Sequence, residues 1–276
     1  MMMKETSKEK KPFSIIDDVY NQEGTKEIEE IFGNGNIFPF PKPTALIRHL
    51  VNLANLESDD IVLDFFAGSC TTAQAIFQFN NEFSKNLQFL VVQLPEPVPV
   101  DSQAKKAGFS SISEIGKERI RKVIYRIRID RSRELGLNPI NDLGFLALRL
   151  EKSNFKFWQS VSENITTQLG SLFEQFESPL VYGWQSRGLL TEILLAQGFP
   201  LDSNKRILQN FKDNSVQEIS HDFCAHRLYI CLDEKLNQAT VAGISIRPED
   251  IFVCLDSALT DEDKIRLSDR CNLKVI

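Results

Sequence analysis

Two short apolar runs, with one helix-forming stretch between them, constrain this chain more than any other feature. Ile61-Val62-Leu63-Asp64-Phe65-Phe66 and Gln88-Phe89-Leu90-Val91-Val92-Gln93-Leu94 are both of strand length and apolar on successive residues. A strand with one face in water alternates apolar and polar side chains. A continuous run is expected of a strand covered on both faces, as in parallel sheets flanked by helices. The intervening Thr72–Phe79 stretch is helical in pattern and closes at Asn80-Asn81. Ahead of the first run, Thr44–Leu56 places Leu46, Leu50 and Leu53 on one helical stripe, with Ile47, Val51 and Ala54 beside it. Helix, strand, helix, strand predicts an α/β fold that begins as a doubly wound sheet.

The rest of the chain divides around this unit. Residues 1–32 are polar, with one short helical pattern at Thr25–Ile31, and are read as a poorly ordered leading segment. Gly33-Asn34-Gly35-Asn36 signals a loop, and the prolines of Phe38-Pro39-Phe40-Pro41-Lys42-Pro43 hold the next stretch extended until a helix can begin. Pro95, Pro97 and Pro99 break the chain after the second run, and Asp101–Phe109 reads as loop. Ser111-Ile112-Ser113-Glu114 has capping-box spacing and opens a helix running to about Arg128, with Ile112, Ile115, Ile120, Ile124 and Ile127 on its inner side. Gly144–Leu150 reads as a short strand. Past about residue 151 the pattern is that of a second, smaller α/β domain. Its strands are expected at Leu228–Leu232, Ile251–Leu255 and Leu273–Ile276, and its helices at Leu189–Ala196, Ala239–Ser245 and Asp261–Arg270. Phe155, Phe157, Trp158 and Trp184 fit its core or an interface equally.

Composition narrows the functional classes. No apolar run reaches membrane-spanning length and no secretory signal pattern opens the chain, which points to a cytoplasmic protein with no membrane partner. The five cysteines include no CxxC pair, and His49, His221 and His226 show no ligand spacing, so no metal site is expected. Cys231 and Cys254 sit in apolar runs and read as small buried hydrophobes. A net charge of −6 argues against wholesale coating of nucleic acid, yet Lys117–Arg133 carries eight Lys/Arg against Glu118 and Asp130. That stretch has two readings: a solvated helix face, or contact with DNA phosphates or a partner subunit through Lys117, Arg119, Arg121, Lys122, Arg126 and Arg128.

The turn after the first apolar run is the place for chemistry. A carboxylate ending a strand, then small residues and a helix start, suits a nucleotide-like ligand. Glycine admits it to the backbone and the first helical amides donate to it. Here these are Asp64-Phe65-Phe66-Ala67-Gly68-Ser69, with Thr71 or Thr72 at the helix start.

Asp64-Phe65-Phe66-Ala67-Gly68-Ser69-Cys70-Thr71-Thr72 resembles the first motif, Asp-x-Phe-x-Gly-x-Gly-Thr, of the beta class of amino methyltransferases. Phe40-Pro41-Lys42-Pro43 and its helix resemble their tenth, and the order is that of the circularly permuted class. The likeness sharpens to the modification subunits of type III restriction–modification systems. It does so through Val91-Val92-Gln93-Leu94-Pro95-Glu96, Ile115-Gly116-Lys117-Glu118-Arg119-Ile120-Arg121, Ser153-Asn154-Phe155-Lys156-Phe157-Trp158 and Cys254-Leu255-Asp256-Ser257.

The resemblance implies a partial Rossmann-like methyltransferase sheet over residues 33–150 and an assembly domain over 151–276. It also implies an S-adenosylmethionine site and adenine-N6 methylation of DNA. Asp64 and Gly68, Ser69, Thr71 and Thr72 would face the methionine portion, with Phe40, Lys42 and Pro43 opposite and Phe66 as an apolar wall. Gln93 would stand where many methyltransferases set an acid on the ribose hydroxyls. Two departures accompany the likeness. Cys70 replaces the second glycine, at a cost of about 1–2 kcal/mol if the position needs positive φ. The Asp-Pro-Pro-Tyr motif that holds the extruded adenine is absent, so no catalytic residue is named. The chain therefore reads as the C-terminal portion of such an enzyme. The open flank of the Asp64 strand calls for a complementary N-terminal chain, beside a second modification subunit or a restriction subunit. The rival reading is a non-catalytic assembly fragment whose cofactor pocket is dead.

Overall fold

The computed structural model describes residues 15–133, 143–157 and 178–276, so Trp158 lies outside the described residues. The chain divides into two compact units, 1–147 and 148–276.

In the first unit, α1 (Asn21–Phe32), α2 (Thr44–Ala54), β1 (Ile61–Asp64), α3 (Thr71–Phe83), β2 (Gln88–Val91), α4 (Gln103–Lys106) and α5 (Ile112–Arg133) follow in order. β1 and β2 pair in parallel, Ile61 opposite Gln88 and Asp64 opposite Val91. Among the described residues these two strands form a sheet on their own. Because side chains alternate across a strand, Val62, Phe89 and Val91 point one way, onto α3. The opposite face carries Ile61, Leu63 and Leu90 and stands in water, with Ile61 63% and Leu63 46% exposed. The expectation of cover on both faces is thus corrected for this sheet. α3 is the pivot of the unit. Ile76 and Phe79 meet Val51 of α2, while Ala73 and Phe77 meet Ile120, Val123 and Ile124 of α5.

Three local expectations also change. Residues 21–32 are a full helix, with Gly24, Ile28 and Ile31 buried, rather than part of a disordered leader. Gly24 touches the proline segment so closely that a Cβ there would clash with the Pro41 carbonyl. The stretch after the prolines holds α4, capped by the Ser102 hydroxyl accepting from Lys105 N at 3.1 Å. Residues 143–150 form no strand; only Leu143 and Phe145 pack inward. α5 is one turn longer than its pattern, and Glu114 reaches back to the Ser110 amide and hydroxyl, both at 2.7 Å, instead of to Ser111.

The second unit contains β3 (Asn204–Ile207), β4 (Gln217–Ser220), β5 (Leu228–Cys231), β6 (Ile251–Cys254) and β7 (Asn272–Val275), in that spatial order. β3, β4 and β5 are antiparallel neighbours, and β5, β6 and β7 are parallel. Helices α6 (Ser186–Ala196), α7 (Gln238–Gly243) and α8 (Asp261–Ser268) accompany the sheet. Every residue of β5 and β6 is buried, within one core that also takes Leu189, Ile193, Phe199, Val241 and Leu267. Cys231 and Cys254 stand opposite each other in register as free thiols, pushed up to about 12 by burial. Phe155 and Trp184 pack against this core, and Phe157 is exposed. Ser153 and Asn154 are held by the Glu192 carboxylate of α6 through three hydrogen bonds of 2.8 Å. Among the described residues no helix is long and apolar enough to cross a membrane.

Candidate functional site

Strand β1 delivers Asp64 to the mouth of a tight turn. The Asp64 carboxylate organises that turn, accepting from Phe66 N at 3.0 Å and from the Thr72 hydroxyl at 2.6 Å. The backbone then runs through two left-handed residues, Gly68 at φ 52° and Cys70 at φ 60°. The Phe38 ring lies over Gly68, where a Cβ would come within 3.2 Å of Cζ, so glycine is required by both conformation and space. Helix α3 starts at Thr71 with no side-chain cap, which leaves its first amides to meet an anionic group.

Cys70 departs from the glycine pattern in a position that does have positive φ. Its side chain is buried among Ala73, Ile120 and Val123 and rests on Gly116 of α5. Burial raises the thiol to about 11, against the pull of Arg119. The sulfur is a neutral core atom; the backbone strain is borne by packing.

The proline segment meets this turn directly. Thr71 donates to the Lys42 carbonyl at 3.1 Å, and Pro41 and Pro43 are buried while Lys42 is exposed. Phe40 takes φ 54° and is 93% exposed, as Phe66 is 91% exposed. An aromatic residue held in the left-handed region with its ring in water is strain of the kind kept at binding sites. The structure therefore brings the Lys42 carbonyl against Thr71, whose hydroxyl lies 3.4 Å from that of Ser69. Gln93 is tied to the turn itself: its Oε1 accepts from Gly68 N at 2.7 Å, and its Nε2 donates to the Leu94 carbonyl at 3.2 Å.

Arg119 needs the largest correction. Read as a surface cation, it is 0% exposed and cannot reach a phosphate. Its Nε donates to Gln74 Oε1 at 2.7 Å. One terminal nitrogen donates to the Ser69 and Thr71 hydroxyls at 2.7 and 2.8 Å, and the other to Glu27 at 2.9 Å. Burial lowers its pKa, opposed chiefly by Glu27. The second oxygen of Glu27 accepts from Thr44 N at 2.9 Å and Thr44 Oγ1 at 2.7 Å. Glu27 thereby caps α2, whose N-cap residue Pro43 has no side chain able to do so. The other cations of α5 are partly engaged within their own unit. Lys122 lies over Phe32 and Arg121 over Phe145. Arg126 donates to the Glu30 carbonyl, and Arg128 to that of Leu143 at 2.7 Å. Lys117 is half-buried, while Arg121, Arg126 and Arg128 remain exposed.

Glu27 and Gln74 escaped the sequence reading, Phe38 was read only as part of the extended proline stretch, and Arg119 was placed on the surface. For Arg119 the signal was present: it stands four residues from both Ile115 and Val123, inside the apolar stripe of α5. Among the described residues no cluster of His, Cys, Asp or Glu could hold a metal.

Residues 2–121 match the family model described as DNA methylase. Among the chain's relatives are modification subunits. The chain is 34% identical over 205 residues to the type III restriction-modification enzyme StyLTI Mod subunit of Salmonella typhimurium, covering 66% of this chain and 30% of that one. It is 37% identical over 112 residues to the EcoP15I Mod subunit of Escherichia coli, covering 40% and 17%. It is also 33% identical over 146 residues to the EcoPI Mod subunit of Escherichia phage P1, covering 51% and 22%. The chain thus spans less than a third of the length of these relatives.

Proposed function

We propose that residues 15–147 bind S-adenosylmethionine between the proline segment and the Gly68–Thr72 turn. They act as the cofactor-holding portion of an adenine-specific N6 DNA methyltransferase of the type III modification kind. One observation carries this reading: the Thr71 hydroxyl bonded to the Lys42 carbonyl sets the tenth-motif and first-motif segments against each other, beside two exposed aromatic rings. The residues suit the group. Phe40 and Phe66 offer stacking surface to a base, and the uncapped start of α3 suits a carboxylate. Asp64, fixed by Phe66 N and Thr72, holds the turn open to the ligand.

When bound, S-adenosylmethionine supplies an activated methyl group on sulfonium. The work of this chain is orientation: a nucleoside held between fixed walls is presented to its acceptor without further ordering. The residues that receive the adenine must come from elsewhere, since these 276 residues contain no Asp-Pro-Pro-aromatic run. We assign them to a complementary chain that pairs with β1, whose one strand neighbour among the described residues is β2. That chain would also cover the bare Ile61, Leu63 and Leu90 face. DNA, a second modification subunit and a restriction subunit are the further partners in this reading. Arg121, Arg126 and Arg128 offer phosphate contacts on α5; charge reversal at Arg121 and Arg126 should abolish DNA binding by the assembled enzyme.

The rival, an assembly fragment with a dead pocket, draws on one observation: Gln93 already occupies the Gly68 amide. Calorimetric titration with S-adenosylmethionine separates the two. Saturable heat supports the cofactor reading, and no heat at millimolar ligand (about 4 kcal/mol of affinity or less) leaves the fragment.

A further inference from the structure

We infer that fully buried Arg119 and partly buried Glu27 form a brace that fixes the spacing of the two cofactor walls, which makes Arg119 a positioning residue for S-adenosylmethionine. The inference rests on the cofactor reading above. The connections run unbroken from one wall to the other. Ser69 and Thr71, on the turn, accept from Arg119 at 2.7 and 2.8 Å, and Gln74, one turn into α3, accepts at 2.7 Å. The same guanidinium donates to Glu27 at 2.9 Å, and Glu27 holds Thr44, the residue that follows the proline segment, by its amide and its hydroxyl. Ser69 and Thr71 flank Cys70, so the brace grips the strained residue of the turn from both sides.

Stability alone does not account for this arrangement. A buried ion pair gains little over well-packed apolar side chains of similar volume, because desolvating both charges offsets their attraction. What the pair supplies is direction. The guanidinium is a planar fork whose donors leave at fixed angles, and here it meets three acceptors on α3 and its turn and one on α1. Lysine at 119 would keep the charge and lose the fork. The wall carrying Ser69 and Thr71 and the wall carrying Lys42 and Pro43 would then be joined by the Thr71–Lys42 bond and by packing, without the fork.

The test is titration calorimetry of the full chain with S-adenosylhomocysteine for wild type, Arg119→Lys, Glu27→Gln and the double variant. Far-UV circular dichroism and thermal melts are recorded alongside, and all titrations are run well below the lowest melting temperature. The expected result is a Kd raised at least tenfold in each single variant. The double variant should be no more than about threefold weaker than the worse single, because the two residues act as one unit. A lowered melting temperature with Kd within twofold of wild type marks a purely structural pair and overturns the inference while sparing the cofactor site. Absence of binding by wild type overturns both. If Arg119→Lys does not fold, Glu27→Gln, which keeps an oxygen for Thr44, carries the same comparison. Faster amide exchange at residues 68–74 should accompany its weaker binding.

Discussion

β1 and β6 are four-residue strands of nearly the same character, Ile-Val-Leu-Asp and Ile-Phe-Val-Cys. Each runs parallel to its neighbour. All four residues of β6 are buried within its unit, whereas alternate residues of β1 stand in water. The composition of β6 is satisfied by its own five-stranded sheet and the helices packed on it. The composition of β1 exceeds the cover that the described residues give it. In the proposed reading that surplus in the first unit is the surface offered to a complementary chain.

The sharpest way to break this contrast is truncation on both sides of it. Phe252→Ala, at a site with no solvent exposure, should cost about 3–5 kcal/mol, read from urea unfolding by fluorescence of Trp184 in the same unit. Leu63→Ala should cost less than about 1 kcal/mol, read from amide exchange in β1 and β2. Comparable costs would mean that the Leu63 face is covered after all.

A second experiment sharpens the comparison. Alone, the chain should self-associate through the bare face, and the combined change Ile61→Ser, Leu63→Ser, Leu90→Ser should shift sedimentation velocity toward monomer. A wild-type chain that sediments as a stable monomer defeats both the face and the need for a complementary chain.

Alkaline pH separates the units more gently. Burial raises Cys70 to about 11 and Cys231 and Cys254 to about 12. A thiol whose folded value lies above its unfolded value stabilises fully below the unfolded one, near 8.5, and loses that contribution as pH climbs toward the folded value. Stability should therefore fall from about pH 9 upward, and more steeply in the second unit, which holds two of these thiols. An exchange-detected profile flat to pH 11 in both units would contradict this.

The smallest effect belongs to the start of α5. Hydrogen bonds from the Ser110 hydroxyl and amide hold the Glu114 carboxyl below the usual carboxylate range. Its contribution is present above the unfolded value and fades as pH drops through the lowered one. Because the group is largely solvated, Glu114→Gln should cost less than about 1 kcal/mol in the first unit and leave the second unchanged.

How much of this was legible follows from what the sequence pattern encodes. The helices and strands around Asp64, and β5 and β6, announce themselves because burial demands apolar periodicity. β3 and β4 did not: Asn-Lys-Arg-Ile and Gln-Glu-Ile-Ser lie toward a sheet edge where polar residues suffice. Gly144–Leu150 misled in the opposite direction, since alternating leucines suggest a strand only where a partner strand is supplied. At the site, the segments that meet were legible from their motifs, while the bonds that make them meet were not. Arg119 was hidden in a run of cations, and Glu27 in a segment that looked merely polar. A charge destined for the interior differs from its neighbours only by helical phase, and the apolar residues four positions away on either side carried that information.

The contact of Cys70 with Gly116 couples two distant positions. A methyl group on residue 116 would fall 2.5 Å from the sulfur, so alanine at 116 obliges the Cys70 side chain or α5 to shift. A residue at 70 without the sulfur removes that contact and leaves Cβ at an ordinary 3.5 Å. Substitutions at 70 and 116 are therefore expected to depart from additivity, the change at 116 costing less once the sulfur is gone.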